Sequence, residues 1–238
     1  MFWRKFRLDW SYAVGELIIV TVGVLLALGV NQWQQDRGDR ALELKYAGRL
    51  KAELQEDIDR FKSFEDSALS GKAKILKAFA KVDITQASFD HSVFSIEDLE
   101  YSTYNALPMS QSASFNELKS TGNLRLLQNP AIRMAIGSYY DNYELMSRIL
   151  FESLGPYSEI FAGAIPGAEL LDWRVNKIEI SQSVIDEGLN NLIRHPNFRS
   201  SVNAELNYTS EMIYYLRDIR LRGEALLTKL EEEYPASD

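Results

Sequence analysis

The stretch Ser11–Trp33, SYAVGELIIVTVGVLLALGVNQW, decides the fold. From Ala13 to Val30 every residue is apolar or small except Glu16 and Thr21, a run close to the roughly 20 residues that cross a hydrocarbon core. Trp10 and Tyr12 flank one end and Trp33 the other, as amphipathic rings do at headgroup level. The reading is an all-α chain. Residues 1–11 form a short basic cytoplasmic tail, 12–33 a transmembrane helix that continues into a long stalk helix, 34–82, and 83–238 an antiparallel helical-bundle domain packed with the stalk. The first partner this implies is the lipid bilayer.

At about 100° per residue, Ala13, Glu16, Gly23, Ala27, Asn31 and Gln34 fall on one side of the span, while Leu, Ile and Val fill the rest. Lipid tails attract Leu as well as another helix does, so membrane helices associate through small residues and polar groups. This side therefore reads as a contact face, for a second copy of the chain or for another membrane protein. Glu16 is its most informative member. A carboxylate in the apolar zone is costly unless protonated, paired or near the interface. Three readings stay open for it: an interfacial anchor near the basic tail, a packed contact within the membrane and, least favoured, proton or ion coupling.

Arg4, Lys5 and Arg7 in the tail favour a cytoplasmic N-terminus under the positive-inside rule, although Arg37, Arg40 and Lys45 beyond the span weaken the bias. A cleaved signal peptide is the competing reading, because Ala27-Leu28-Gly29 has the small-x-small form of a cleavage site. Glu16 at the head of the apolar run and the polar stripe speak against it.

Three of the 26 basic and two of the 34 acidic residues precede Gln34, so the remainder carries about −9. That balance excludes nucleic acid as a main partner. The chain has no cysteine, which removes disulfides and thiolate metal sites.

After the span, Tyr46, Ala47, Leu50, Leu54, Ile58, Phe61, Phe64, Ala68, Ile75, Phe79 and Val82 lie along one line at helical pitch. The spacing predicts one amphipathic helix over 41–82, about 60 Å long, with at most a bend at Ser70-Gly71. Gly38 is read as the joint between membrane helix and stalk. Ser95 with Asp98 and Ser114 with Glu117 have capping-box spacing and predict short helices over 96–101 and 115–120, the second ended by Gly122. Asn129 caps the next helix with Pro130 at its first position, along the stripe Ile132, Ile136, Tyr139, Tyr143, Met146 and Leu150. A loop-rich connection over 155–180 contains Trp173 as an anchor and a short extended piece at Ile178–Ile180. Ser183 with Asp186 starts another helix and His195-Pro196 opens the last. Its face is Phe198, Val202, Met212, Ile213, Leu216, Ile219, Gly223, Leu227 and Leu230.

The two halves echo each other. Leu127–Arg133 aligns with Ile193–Arg199, and Ile136 and Met146 match Val202 and Met212 at the same offset. This suggests two repeated helical hairpins stacked into one bundle.

The run G-E-L-I-I-V-T-V-G-V-L-L-A-L-G-V-N-Q-W at Gly15–Trp33, and F-N-E-L-K-S-T-G-N-L-R-L-L-Q-N at Phe115–Asn129 with Tyr139-Tyr140 after it, resemble a family of bacterial membrane-anchored proteins known only as a domain of unknown function. The resemblance covers span, stalk and central hairpin and fades after Gly155. It implies a bacterial inner-membrane protein with a helical periplasmic domain, and it implies no activity or catalytic residue.

Chemistry is sparse. His91 and His195 lack the helical His and Glu spacings of zinc or di-iron sites, and no nucleophile elbow, P-loop or dinucleotide fingerprint occurs. No catalytic, metal or cofactor site is expected. Tyr139, Tyr140 and Tyr143, with Tyr214 and Tyr215, are candidates to line an apolar pocket between helices, with core packing the favoured use. The expectation is a non-enzymatic accessory or scaffold subunit that associates through the Glu16 face. The alternative is an envelope sensor or ligand-binding bundle that signals through a separate membrane partner.

Overall fold

The computed structural model describes residues 10–82, 102–103, 105, 107–152, 155–164 and 181–235. The expected helix over 96–101, His91, Trp173 and the extended piece at 178–180 lie outside them. The described residues are all-α, without a strand.

Helix α1 runs unbroken from Trp10 to Phe64, about 80 Å at 1.5 Å per residue. Span and stalk are one rod. Gly38 sits inside it with open space around its Cα, so the expected joint is an ordinary helical position. The rod passes through a π turn, Glu65–Leu69, into α2, Ser70–Ala80. The anticipated bend at Ser70-Gly71 is thus a wider turn placed just before it. A π turn inserts one extra residue per turn and shifts the buried face. Phe61 and Ala68 stay inward as the stripe predicts, and Leu69, Lys72 and Leu76 join them.

The remaining elements are α3 (Ala113–Ser120), a 3₁₀ turn (Asn123–Leu126), α4 (Pro130–Glu152), α5 (Tyr157–Ala164), α6 (Gln182–Arg194) and α7 (Phe198–Glu233). Gly122, at φ +70°, ends α3 as the sequence predicts, because a left-handed position favours glycine. The Asn129 side chain accepts the Ala131 N–H at 2.9 Å, so the cap before Pro130 is present. Three boundaries differ from the reading. Helix α3 starts at Ala113, and Ser114 with Glu117 forms no capping box: both reach across to α1 instead. Helix α6 begins after Ser181 rather than Ser183. Asn197, not His195, precedes α7; His195 Nδ1 accepts the Asn197 N–H at 3.2 Å in the turn between the helices.

Helix α7 returns antiparallel along the stalk part of the rod, from Glu43 and Lys51 of α1 to the end of α2. Lys51 Nζ donates to the Tyr234 carbonyl at 2.7 Å, Arg217 pairs with Glu65, and Arg199 donates to the Val82 carbonyl at 2.8 Å. Helix α4 runs parallel to α1 and antiparallel to α7. Tyr139 lies over Gly223, where an added Cβ would come within 3.3 Å of its ring.

Two cores are stacked along this rod. The first joins Leu50, Leu54 and Phe61 of α1 to Phe115, Leu118, Ile132, Ile136, Met146, Met212, Leu216 and Leu230. The second joins Ile75, Leu76 and Phe79 of α2 to Tyr157, Phe161, Leu189, Leu192, Phe198 and Val202. Each fully buried Leu, Ile or Phe contributes about 1.5–3 kcal/mol by leaving water. The echoed positions Ile132, Ile136 and Met146, and Phe198, Val202 and Met212, are buried in both halves. On α7 the inward residue near the end is Leu226, with Leu227 only half-buried.

Candidate functional site

Two features exceed what a folded bundle requires. The first is the apolar segment of α1. Among the described residues this is the one helix long and apolar enough to cross a membrane, and none of its most apolar window is buried within the protein. Glu16, Gly23, Ala27, Asn31 and Gln34 are all exposed, and Ala13 lies one turn earlier in the same helix. Because α1 is continuous, helical phase connects the span to the stalk. The side carrying Glu16, Gly23 and Ala27 continues through Gly38, Ala41, Lys45, Gly48 and Ala52, all exposed. Glu43, Tyr46, Ala47, Leu50 and Leu54, which hold the domain, are roughly opposite at 100° per residue. The candidate membrane contact face therefore points away from the chain's own domain.

The second feature is a series of polar groups on the inward side of the rod. Glu43, 1% exposed, accepts the Gln128 N–H at 2.8 Å and the Tyr234 hydroxyl at 2.8 Å, and pairs with Arg40 at 2.7 Å. Burial disfavours its charge, but those three donors outweigh it and hold the carboxyl below the usual range. Glu53 accepts the Ser114 hydroxyl at 2.7 Å and its N–H at 3.1 Å. Asp57 is fully buried. It accepts the Ser110 hydroxyl and the Gln111 N–H, the latter at 2.8 Å, with Tyr139 Oη 3.5 Å away. Here burial wins, and the carboxyl is pushed up despite those donors and Arg60.

Together these groups fasten a non-helical segment, residues 107–112, along α1 and α4. Tyr143 Oη donates to the Pro108 carbonyl at 2.9 Å, Arg60 to the Met109 carbonyl at 2.5 Å, and Tyr140 Oη to the Gln111 carbonyl at 3.1 Å. The Gln111 side chain donates to Glu56. Only Leu107 of the segment packs on the core, while Met109 is 80% exposed. Ordering its backbone costs about 1–2 kcal/mol per residue. Net gains of about 1 kcal/mol per neutral hydrogen bond and 1.5–3 per charged one are of the same total size. Polar contacts, not apolar burial, hold this strap.

A third polar group lies between the two cores. Lys72 Nζ donates to Glu205 Oε1 at 2.6 Å and to Asn105 Oδ1 at 2.5 Å, with both charged side chains at most 1% exposed. Burial pulls the Lys72 amine down, against the attraction of Glu205. Glu205 Oε2 has no hydrogen-bond partner among the described residues.

The five tyrosines singled out from the sequence do not share a pocket; Tyr140 is buried, stacked on Phe115. Tyr139 is in the first core, and Tyr143 stacks on Phe61 at 5.9 Å with planes 3° apart. Tyr214 and Tyr215, edge to face at 5.4 Å, line a separate surface groove with Asn142, Leu145 and Met146. At about 230 Å³ it is smaller than the ~300–1,000 Å³ usual for ligand sites, and its Arg222 is already paired with Asp218 at 2.6 Å. Among the described residues no three His, Asp or Glu side chains are grouped to hold a metal.

The sequence reads Asp57, like Glu56 and Asp59, as a solvated helix charge, which its burial overturns, and singles out neither Lys72 nor Glu205. One signal was available: the α7 stripe skips from Val202 to Met212, and Glu205 and Thr209, both buried, fill the gap. Comparison with family models, with curated proteins and with solved structures gave no match to this chain.

Proposed function

We propose that this chain is a non-catalytic, single-pass membrane protein that serves as an accessory or scaffold subunit, with α1 binding a second membrane helix through Glu16, Gly23, Ala27, Asn31 and Gln34. The observation that carries this reading is the phase of α1: the small and polar face is turned away from the helical domain. A neighbouring helix can approach the span along that face without meeting the chain's own bundle. Small residues allow close backbone approach there, and Glu16 gains a hydrogen-bonding partner in place of lipid. On this reading the protein belongs to a bacterial inner membrane with its N-terminus cytoplasmic and its domain periplasmic. The partner is another membrane protein or a second copy.

The unbroken rod from span to domain supports a second reading, an envelope sensor that passes a shift along α1 to a separate membrane partner. A Glu16→Leu variant tests the first. Loss of co-purifying partner or self-association, with the helical domain still folded by circular dichroism, supports the accessory role. Unchanged association by that variant removes it.

A further inference from the structure

We propose that the row Asp57, Arg60, Tyr140 and Tyr143 is a binding site for a non-helical peptide segment, occupied in this structure by the chain's own residues 107–112. Four of its hydrogen bonds address main-chain atoms: the carbonyls of Pro108, Met109 and Gln111, and the Gln111 N–H. Main-chain groups are common to every sequence, so this row reads backbone atoms rather than one particular peptide. Specificity comes from one position. The Ser110 hydroxyl donates to the buried Asp57 carboxylate, which selects a serine or threonine there and leaves an alanine-bearing segment with a desolvated acceptor unmatched.

The reading groups are rigid while the segment they hold is not built into a helix. Asp57 and Arg60 stand on α1, and Tyr140 and Tyr143 on α4, with Tyr140 stacked on Phe115 at 4.5 Å and Tyr143 on Phe61. With Leu107 alone packed on the core and Met109 exposed, the strap is held by polar contacts that an equivalent segment of a partner protein can make in its place. Its presence in cis lowers the apparent affinity for such a segment in proportion to the fraction of chains in which it is open.

Two measurements on the full-length chain in mild detergent test this. Hydrogen exchange at the Gln111 amide reports strap opening. It is expected to exchange at least tenfold faster than core amides of α4, with little dependence on denaturant. A labelled peptide of sequence Asn105–Ser114 is then titrated by fluorescence anisotropy. Saturable binding is expected, at least tenfold tighter to a Ser110→Ala/Gln111→Ala chain than to the wild type, and at least tenfold weaker when the peptide itself carries alanine at the Ser110 position. The peptide comparison does not depend on the folding of any protein variant. Exchange of Gln111 only through global unfolding overturns the proposal. So does an absence of saturable binding to the weakened-strap chain, or equal binding of the serine and alanine peptides.

Discussion

Lys72→Met isolates the energetics of the buried ion pair. At 2.6 Å the attraction between unit charges is about 6 kcal/mol at an effective dielectric near 20. Desolvation of two side chains that are at most 1% exposed offsets most of it, at several kcal/mol per ion. The intact pair thus contributes little net stability, but either member alone is a buried charge without its partner. Lys72→Met should therefore destabilise by about 3–5 kcal/mol, which also includes the donor lost by Asn105 Oδ1. Glu205→Leu should cost a similar amount. The double variant Lys72→Met/Glu205→Leu should lie within about 1 kcal/mol of the wild type or above it. The assay is urea unfolding of the full-length chain in mild detergent, followed by circular dichroism. With m near 3 kcal/mol/M, each single change should lower the midpoint by roughly 1 M or more. A double variant as unstable as the sum of the singles would refute the reasoning, as would single variants that lose less than about 1 kcal/mol.

Two further outcomes are expected. The Glu43 carboxyl is held below its usual range, so its contribution to stability is complete above pH about 4.5 and is lost as pH falls through its folded-state value. The stability gap between wild type and Glu43→Gln should accordingly be widest near neutrality and close in acid, as denaturant midpoints across pH 3–7 will show. Asn129→Ala removes the α4 cap and its contact with Glu233 at 2.7 Å. It should cost about 1 kcal/mol, read as a lowered urea midpoint at unchanged m.

Much of the architecture was legible because apolar periodicity survives wherever a helix is straight. Tyr46 through Phe61 are buried as their phase predicts, and Gly122 and Asn129 mark helix ends through backbone conformation and side-chain chemistry that operate locally. The rest depended on long-range pairing. Lys72 reads as a solvated charge until the π turn advances the buried face of α2 by a residue and Glu205 meets it from 133 positions away. Ser114 and Glu117 have the spacing of a cap, but Glu53 and the Tyr46–Arg49 pair of α1 offer them better partners. The Glu16 face was visible from the sequence. That it faces away from the domain required knowing that α1 continues unbroken through Gly38.

Helix α1 is proposed to join this chain to a second membrane helix. The most direct test is extraction of the full-length protein from membranes in gentle detergent, with particle mass measured by mass photometry and companions identified by mass spectrometry. A particle of defined mass above that of the 27.2 kDa chain with its detergent is expected, composed of two or more copies or of this chain with a stoichiometric membrane protein. A monodisperse single chain without companions, or recovery of the protein in the soluble fraction, would contradict it.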